Sequence, residues 1–208
     1  MLNLLRKDFI ALKSSLWTVA LYLAVFSLAF IPKSELSIYF VGIYTAFGSV
    51  ILITMIDIKN YHHHFLVTLP VSRKQIVQAK YITAIIYTLF GVLASYGIHW
   101  IVKLVFPQLN KPDNSVLAIM ISVGIVLVLI SIYMPLFYAL SKKGAGIINA
   151  VFMVALIILA QPAASFIFMI HQTDVFSNQT LLLIPGGILL LFITSYFLAV
   201  YLFSRKDI

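Results

Sequence analysis

The 208-residue chain has no cysteine and a single glutamate, Glu35, and only 10% of its residues are charged. Without cysteine it can form no disulfide and offers no thiolate to a metal. None of its six acidic residues lies deep within an apolar run. Ion-coupled transporters keep ionisable groups inside the membrane because those groups carry the coupling, so their absence weighs against proton- or sodium-driven transport. The chain also lacks Gly-x-x-x-x-Gly-Lys, Gly-x-Ser-x-Gly and His-Glu-x-x-His stretches, so neither ATP hydrolysis through a phosphate loop nor intramembrane proteolysis is expected of it. A lipid-modifying enzyme would need clustered nucleophiles, bases or metal ligands. The sequence offers nothing of that kind outside the run His62, His63, His64.

What is abundant is apolar surface, at 62% of the residues. A soluble domain of this length still needs a polar exterior, so the expected fold is all-α and polytopic in the membrane, as one transmembrane domain over residues 1–208. Helices satisfy their own backbone groups in lipid, and no alternating pattern suggests a β-barrel. Six spans are read at approximately Leu16–Ile31, Ser37–Ile56, Tyr81–Phe106, Ser115–Leu140, Ile147–Ile170 and Leu181–Phe203. Ahead of them, Leu2, Leu5, Phe9 and Leu12 fall near one helical face opposite Arg6, Lys7 and Lys13. Residues 1–15 are therefore expected to form an amphipathic interfacial helix rather than a cleaved signal.

Six spans put both termini on one side. Eleven of the fourteen Lys and Arg residues fall on that side and only Lys33, Lys103 and Lys111 on the other, while the acidic residues divide three and three. The positive-inside rule thus predicts cytoplasmic termini, with the whole net charge of +8 on the cytoplasmic face. Topology and attraction to anionic lipid account for that charge, and nucleic acid need not be invoked.

Some polar residues interrupt the spans. Ser95, His99 and Lys103 are four apart and share one face of the third span. They read either as buried hydrogen bonds with a snorkelling lysine, or as an outward-facing polar patch that helps substrate leave. Gln161, next to Pro162, belongs to the same candidate pathway, marking a kink or a re-entrant outer segment in the fifth span. Pro135 and Gly186-Gly187 would bend or loosen the fourth and sixth spans.

Residues 57–80, between the second and third spans, form the longest connection. Ser72 followed by Gln75 has capping-box spacing, and Pro70 suits the extended approach to it. One helix is predicted to start at Ser72 and run on into the third span. Upstream, Tyr61, Phe65 and Leu69 recur every four residues as the apolar side of a short amphipathic helix, with the three histidines on its polar side. Consecutive histidines point about 100° apart on a helix, which makes a shared metal ion difficult; a titrating role near neutral pH is the other functional reading. Two helices joined by a proline-bearing turn can dock on a partner and pass movement into a span.

The stretch "FLVTLPVSRKQIVQAKY" resembles the cytoplasmic loop of small ABC-2-type permeases, the membrane subunits of bacterial ABC exporters. Leu69, Pro70, Ser72, Arg73, Ile76, Val77, Ala79, Lys80 and Tyr81 match that family's run after its second span. "LLRKDF" and "YLFSRKDI" are similar to its termini, so the likeness covers essentially the whole chain. Asp57 and Asn60 stand where members often carry an acidic residue and an asparagine, and the three histidines depart from the pattern. A narrower likeness is to permeases of Gram-positive exporters of amphipathic peptides, such as phenol-soluble modulins, that confer resistance to antimicrobial peptides.

The resemblance implies a non-enzymatic permease in the bacterial plasma membrane that pairs with a second permease chain, itself or a sister. ATP and Mg²⁺ would be held by separate ATPase subunits and by nothing in this chain. Tyr61, Phe65, Leu69, Pro70, Ser72, Arg73 and Lys74 would form the ATPase-coupling surface, and an amphipathic substrate would pass outward. Arg73 and Lys74 read equally as a positive-inside anchor or as partners of acidic groups on the ATPase. A channel or scaffold that needs no ATP is the competing reading.

Overall fold

The computed structural model describes residues 6, 10, 16–33, 36–59, 72–109, 116–140, 144–158 and 178–205. They form α1 (Leu16–Phe30), α2 (Ser37–Lys59), α3 (Arg73–Val105), a 3₁₀ turn (Pro107–Leu109), α4 (Val116–Ala139), α5 (Gly144–Ile158) and α6 (Asn178–Ser204). Among the described residues, four helices are long and apolar enough to cross a membrane: Ser37–Lys59, Arg73–Val105, Ile119–Ala139 and Leu183–Ser204. The other two of the six expected spans correspond to shorter apolar helices. The 15 residues of α1 rise about 22 Å, less than the roughly 30 Å of a hydrocarbon core. The second half of the expected fifth span lies outside the described residues, and so does most of the expected N-terminal helix, of which Arg6 and Ile10 are helical and exposed.

Why α2 sits at the centre is visible in its composition. It is apolar on every side, and nearly all of it is buried, as expected of a helix with neighbours all round. Phe30 stacks on Phe40 at 5.2 Å between ring centroids, and Phe26 packs on Tyr44 at 5.0 Å, joining α1 to α2. From α5, Phe152 lies against Phe47, and the Leu156 carbonyl accepts from the Tyr44 hydroxyl at 2.5 Å.

The closest approach is between α2 and α3. Gly42 and Ala46 on one helix meet Gly91 and Ser95 on the other. A Cβ added at Gly91 would lie 2.6 Å from the Ala46 backbone, so the two main chains touch there with no room for a side chain. Small residues spaced by four on both partners are what permit such a crossing, and in lipid close van der Waals packing replaces the hydrophobic drive.

The 33 residues of α3 rise about 50 Å, well beyond a bilayer core. The expected single helix running from Ser72 into the third span is therefore present. Its first turns lie at the end of the bundle where α2 and α6 finish, with Lys59 and Arg205, the end that carries most of the charged residues among those described.

Candidate functional site

The start of α3 is fixed by its own sequence. The Ser72 side chain accepts from the Gln75 N–H at 3.3 Å, and the Ser72 N–H donates to Gln75 Oε1 at 3.2 Å, completing the capping box. The Ser72 N–H is thereby satisfied, the Gln75 N–H is shared between the Ser72 hydroxyl and carbonyl, and the entry of the chain into α3 is set.

Arg73, Lys80 and Tyr81, which follow, each reach another helix. Arg73 Nη1 donates to the main-chain carbonyls of Phe203 at 3.0 Å and Ser204 at 2.8 Å, and its guanidinium lies 5.8 Å from the Phe203 ring centroid. Those carbonyls end α6, where no further turn supplies donors and the helix dipole favours a cation. Arg73 thus ties the beginning of α3 to the end of α6. Lys74, one residue on, is exposed.

About two turns deeper, Lys80 forms a buried salt bridge with Asp57 near the end of α2. Its two members flank residues 60–71 in the chain. Beside it, Thr54 donates to the Ile51 carbonyl at 2.7 Å and also meets the Tyr133 hydroxyl of α4, which lies 2.6 Å from Asn149 Oδ1 of α5. Asn149 Nδ2 has no partner among the described residues. Turning that amide over lets one Nδ2 proton go to Tyr133, Tyr133 donate to Thr54 and Thr54 to Ile51, so each hydroxyl proton finds one acceptor. Four helices meet in this node.

Tyr81 faces α6. Its ring packs edge-on against Phe192 and Tyr196, and its hydroxyl lies 2.7 Å from Ser195 Oγ. Ser195 Oγ in turn donates to the Ser131 carbonyl of α4 at 2.7 Å, so the proton between Tyr81 and Ser195 must come from the tyrosine. With Arg73 at Phe203 and Tyr81 at Ser195, the antiparallel register places Val77 opposite Ala199, and both are fully buried.

The other candidate residues divide. Ser95 and His99 come together in the α2–α3 seam, both buried. Ser95 Oγ donates to the Ile38 carbonyl at 3.1 Å. His99 Nδ1 lies 2.8 Å from the Ser95 carbonyl and therefore carries a proton, while Nε2 meets Ser37 Oγ at 3.0 Å. In the neutral ring Nε2 accepts from Ser37. Both side chains are thus engaged in stitching α3 to the start of α2, the buried-hydrogen-bond reading, while Lys103 sits exposed in the last turn of α3. Tyr61, Phe65, Leu69, Pro70, the three histidines and Gln161 lie outside the described residues.

Sequence reasoning missed Ser195 and the carbonyls of Phe203 and Ser204 as partners of the α3 start. It placed Lys80 in the family run and among the basic residues of the cytoplasmic side, and gave it no partner. A proline at 135 does signal that the carbonyl four residues earlier needs an outside donor, but it does not say from where.

Comparisons with curated proteins and with solved structures found no match. A family model described as "ABC-2 family transporter protein" matches residues 3–204, which span every helix described above. The chain belongs to the ABC-2 transporter family and is a membrane permease of an ABC transporter, a transport component rather than a catalyst, whose family implies partnership with an ABC ATPase.

Proposed function

We propose that this permease works in an ATP-driven exporter of the bacterial plasma membrane, with both termini and the 57–80 segment cytoplasmic. Two permease chains, identical or sister, would form the pathway, and separate ATPase subunits that hold ATP and Mg²⁺ would dock beneath the segment. The cargo proposed is amphipathic, with peptides of the phenol-soluble modulin or antimicrobial type as the leading class. The observation that carries this reading is the construction of the α3 start. A capped, exposed helix end is tied directly to α2, α6 and, through α6, to α4. A push delivered there reaches three other helices without crossing a flexible joint.

The structure also separates the two basic residues that read alike in sequence. Arg73 is engaged with α6, so reversing its charge would disturb packing and docking together. Lys74 is exposed, and reversing its charge probes docking alone. Lys74→Glu is expected to leave the thermal unfolding midpoint of the purified chain unchanged. It should reduce recovery of the ABC ATPase subunit in co-purification from cells that express both, and the difference from the native chain should shrink as salt is raised, because salt screens exposed charges. Equal recovery at every salt concentration would remove Lys74 from the contact. A channel or scaffold working without ATP would co-purify no ATPase in either form.

A further inference from the structure

Pro135 lies inside α4 and has no N–H, so the Ser131 carbonyl four residues earlier loses its helical donor. In an apolar surrounding such a carbonyl is satisfied by another helix or carries the cost of being unpaired. Here the donor is Ser195 of α6, at 2.7 Å, and Ser195 is itself held by the Tyr81 hydroxyl of α3. Ser131 Oγ does not compete for its own carbonyl, since it donates to Leu127 at 2.8 Å. The one open rung of α4 is therefore closed by a relay that begins eight residues from Arg73, on the helix that receives the ATPase contact.

We propose that Tyr81 and Ser195 are positioning residues of the transport cycle, carrying displacement of α3 to the Ser131–Pro135 rung so that the outer half of α4 turns about it. This rests on the reading of the chain as an ATP-driven permease. A merely structural hydrogen bond would stabilise α4 in every state. A relay moves with α3, and because the rung has no internal hydrogen bond to break, α4 can bend there at low cost.

Because the chain has no cysteine, a pair of spin labels can be placed without removing any residue of that kind. Leu93 of α3 and Met120 of α4, 55% and 64% exposed, suit substitution by cysteine. In the complex with the ABC ATPase subunit, in lipid nanodiscs, the distance between the labels is expected to differ between the ATP-free and vanadate-trapped states. Tyr81→Phe, which keeps the ring packing, and Ser195→Ala should each lose that difference while ATP hydrolysis persists. Pro135→Ala restores an N–H to the Ser131 carbonyl, so it should lose the difference as well. It should also make the thermal midpoint indifferent to Ser195→Ala, which lowers the midpoint of the native sequence. That double variant keeps the test open if Ser195→Ala alone folds poorly.

Retention of the full distance change in both Tyr81→Phe and Ser195→Ala would overturn the relay, as would an equal loss of midpoint from Ser195→Ala with and without Pro135. A native complex that neither hydrolyses ATP nor changes distance would instead overturn the ATP-driven reading on which the relay rests.

Discussion

Asp57→Ala, with Lys80 in place, is expected to be among the most damaging single substitutions in this chain. Both side chains are almost wholly buried and the pair joins the end of α2 to the second turn of α3. Breaking a buried pair by removing one partner typically costs about 3–5 kcal/mol, because the remaining charge is left without compensation. The effect should be read as a lowered thermal midpoint in detergent or nanodiscs, together with reduced recovery from the membrane. Replacing the pair as a whole separates stability from function. Asp57→Leu with Lys80→Met should regain most of the midpoint, since an apolar pair of similar volume is often neutral or better than a buried ion pair. If Asp57→Ala alone leaves the midpoint unchanged, the pair does not hold α2 to α3.

Gly91→Leu should be comparably severe for a different reason. At this crossing the obstacle is the Ala46 backbone, 2.6 Å from where even a Cβ would stand, and a main chain cannot rotate away as a flexible side chain can. Accommodation requires α2 and α3 to separate, which would also pull Ser95 from Ile38 and His99 from Ser37. Overpacking of a tight site usually costs about 1–3 kcal/mol, and the absence of any yielding neighbour places this one at the upper end or beyond. Gly97, on the same helix, supplies the control because nothing lies within 4 Å of its added Cβ. Gly97→Ala should be tolerated, so a chain that tolerates Gly91→Leu equally well would contradict the crossing described.

The sequence made much of this legible where the signal was local. Ser72 and Gln75 announced the start of α3 because both halves of a capping box lie within one turn, and the apolar runs fall within three residues of the ends of α1, α2, α4 and α6. Signals that depend on the tertiary arrangement were not readable in the same way. Arg73 acts on the carbonyls of residues 203 and 204, and main-chain acceptors leave no mark in residue type. Ser195 is one hydroxyl in an apolar helix, and only the missing N–H of Pro135 makes it informative. Lys80 was counted with the basic residues of the cytoplasmic side because the charge asymmetry treats every lysine alike, whereas its burial against Asp57 depends on how α2 and α3 cross. Ser95 and His99 did share a face as their spacing required, but only the packing shows that this face meets the start of α2.

The most direct test of the central claim, that the start of α3 is where the permease meets its ATPase, uses the absence of cysteine once more. A single cysteine at Lys74, carrying a photoactivatable crosslinker, is compared with one at Trp17 and one at Leu198, both exposed on apolar helices. In membranes containing the ABC ATPase subunit, light should capture the ATPase from position 74 and not from 17 or 198, and vanadate trapping should change the yield at 74. Failure to capture it at 74, or capture at all three positions alike, would contradict the account.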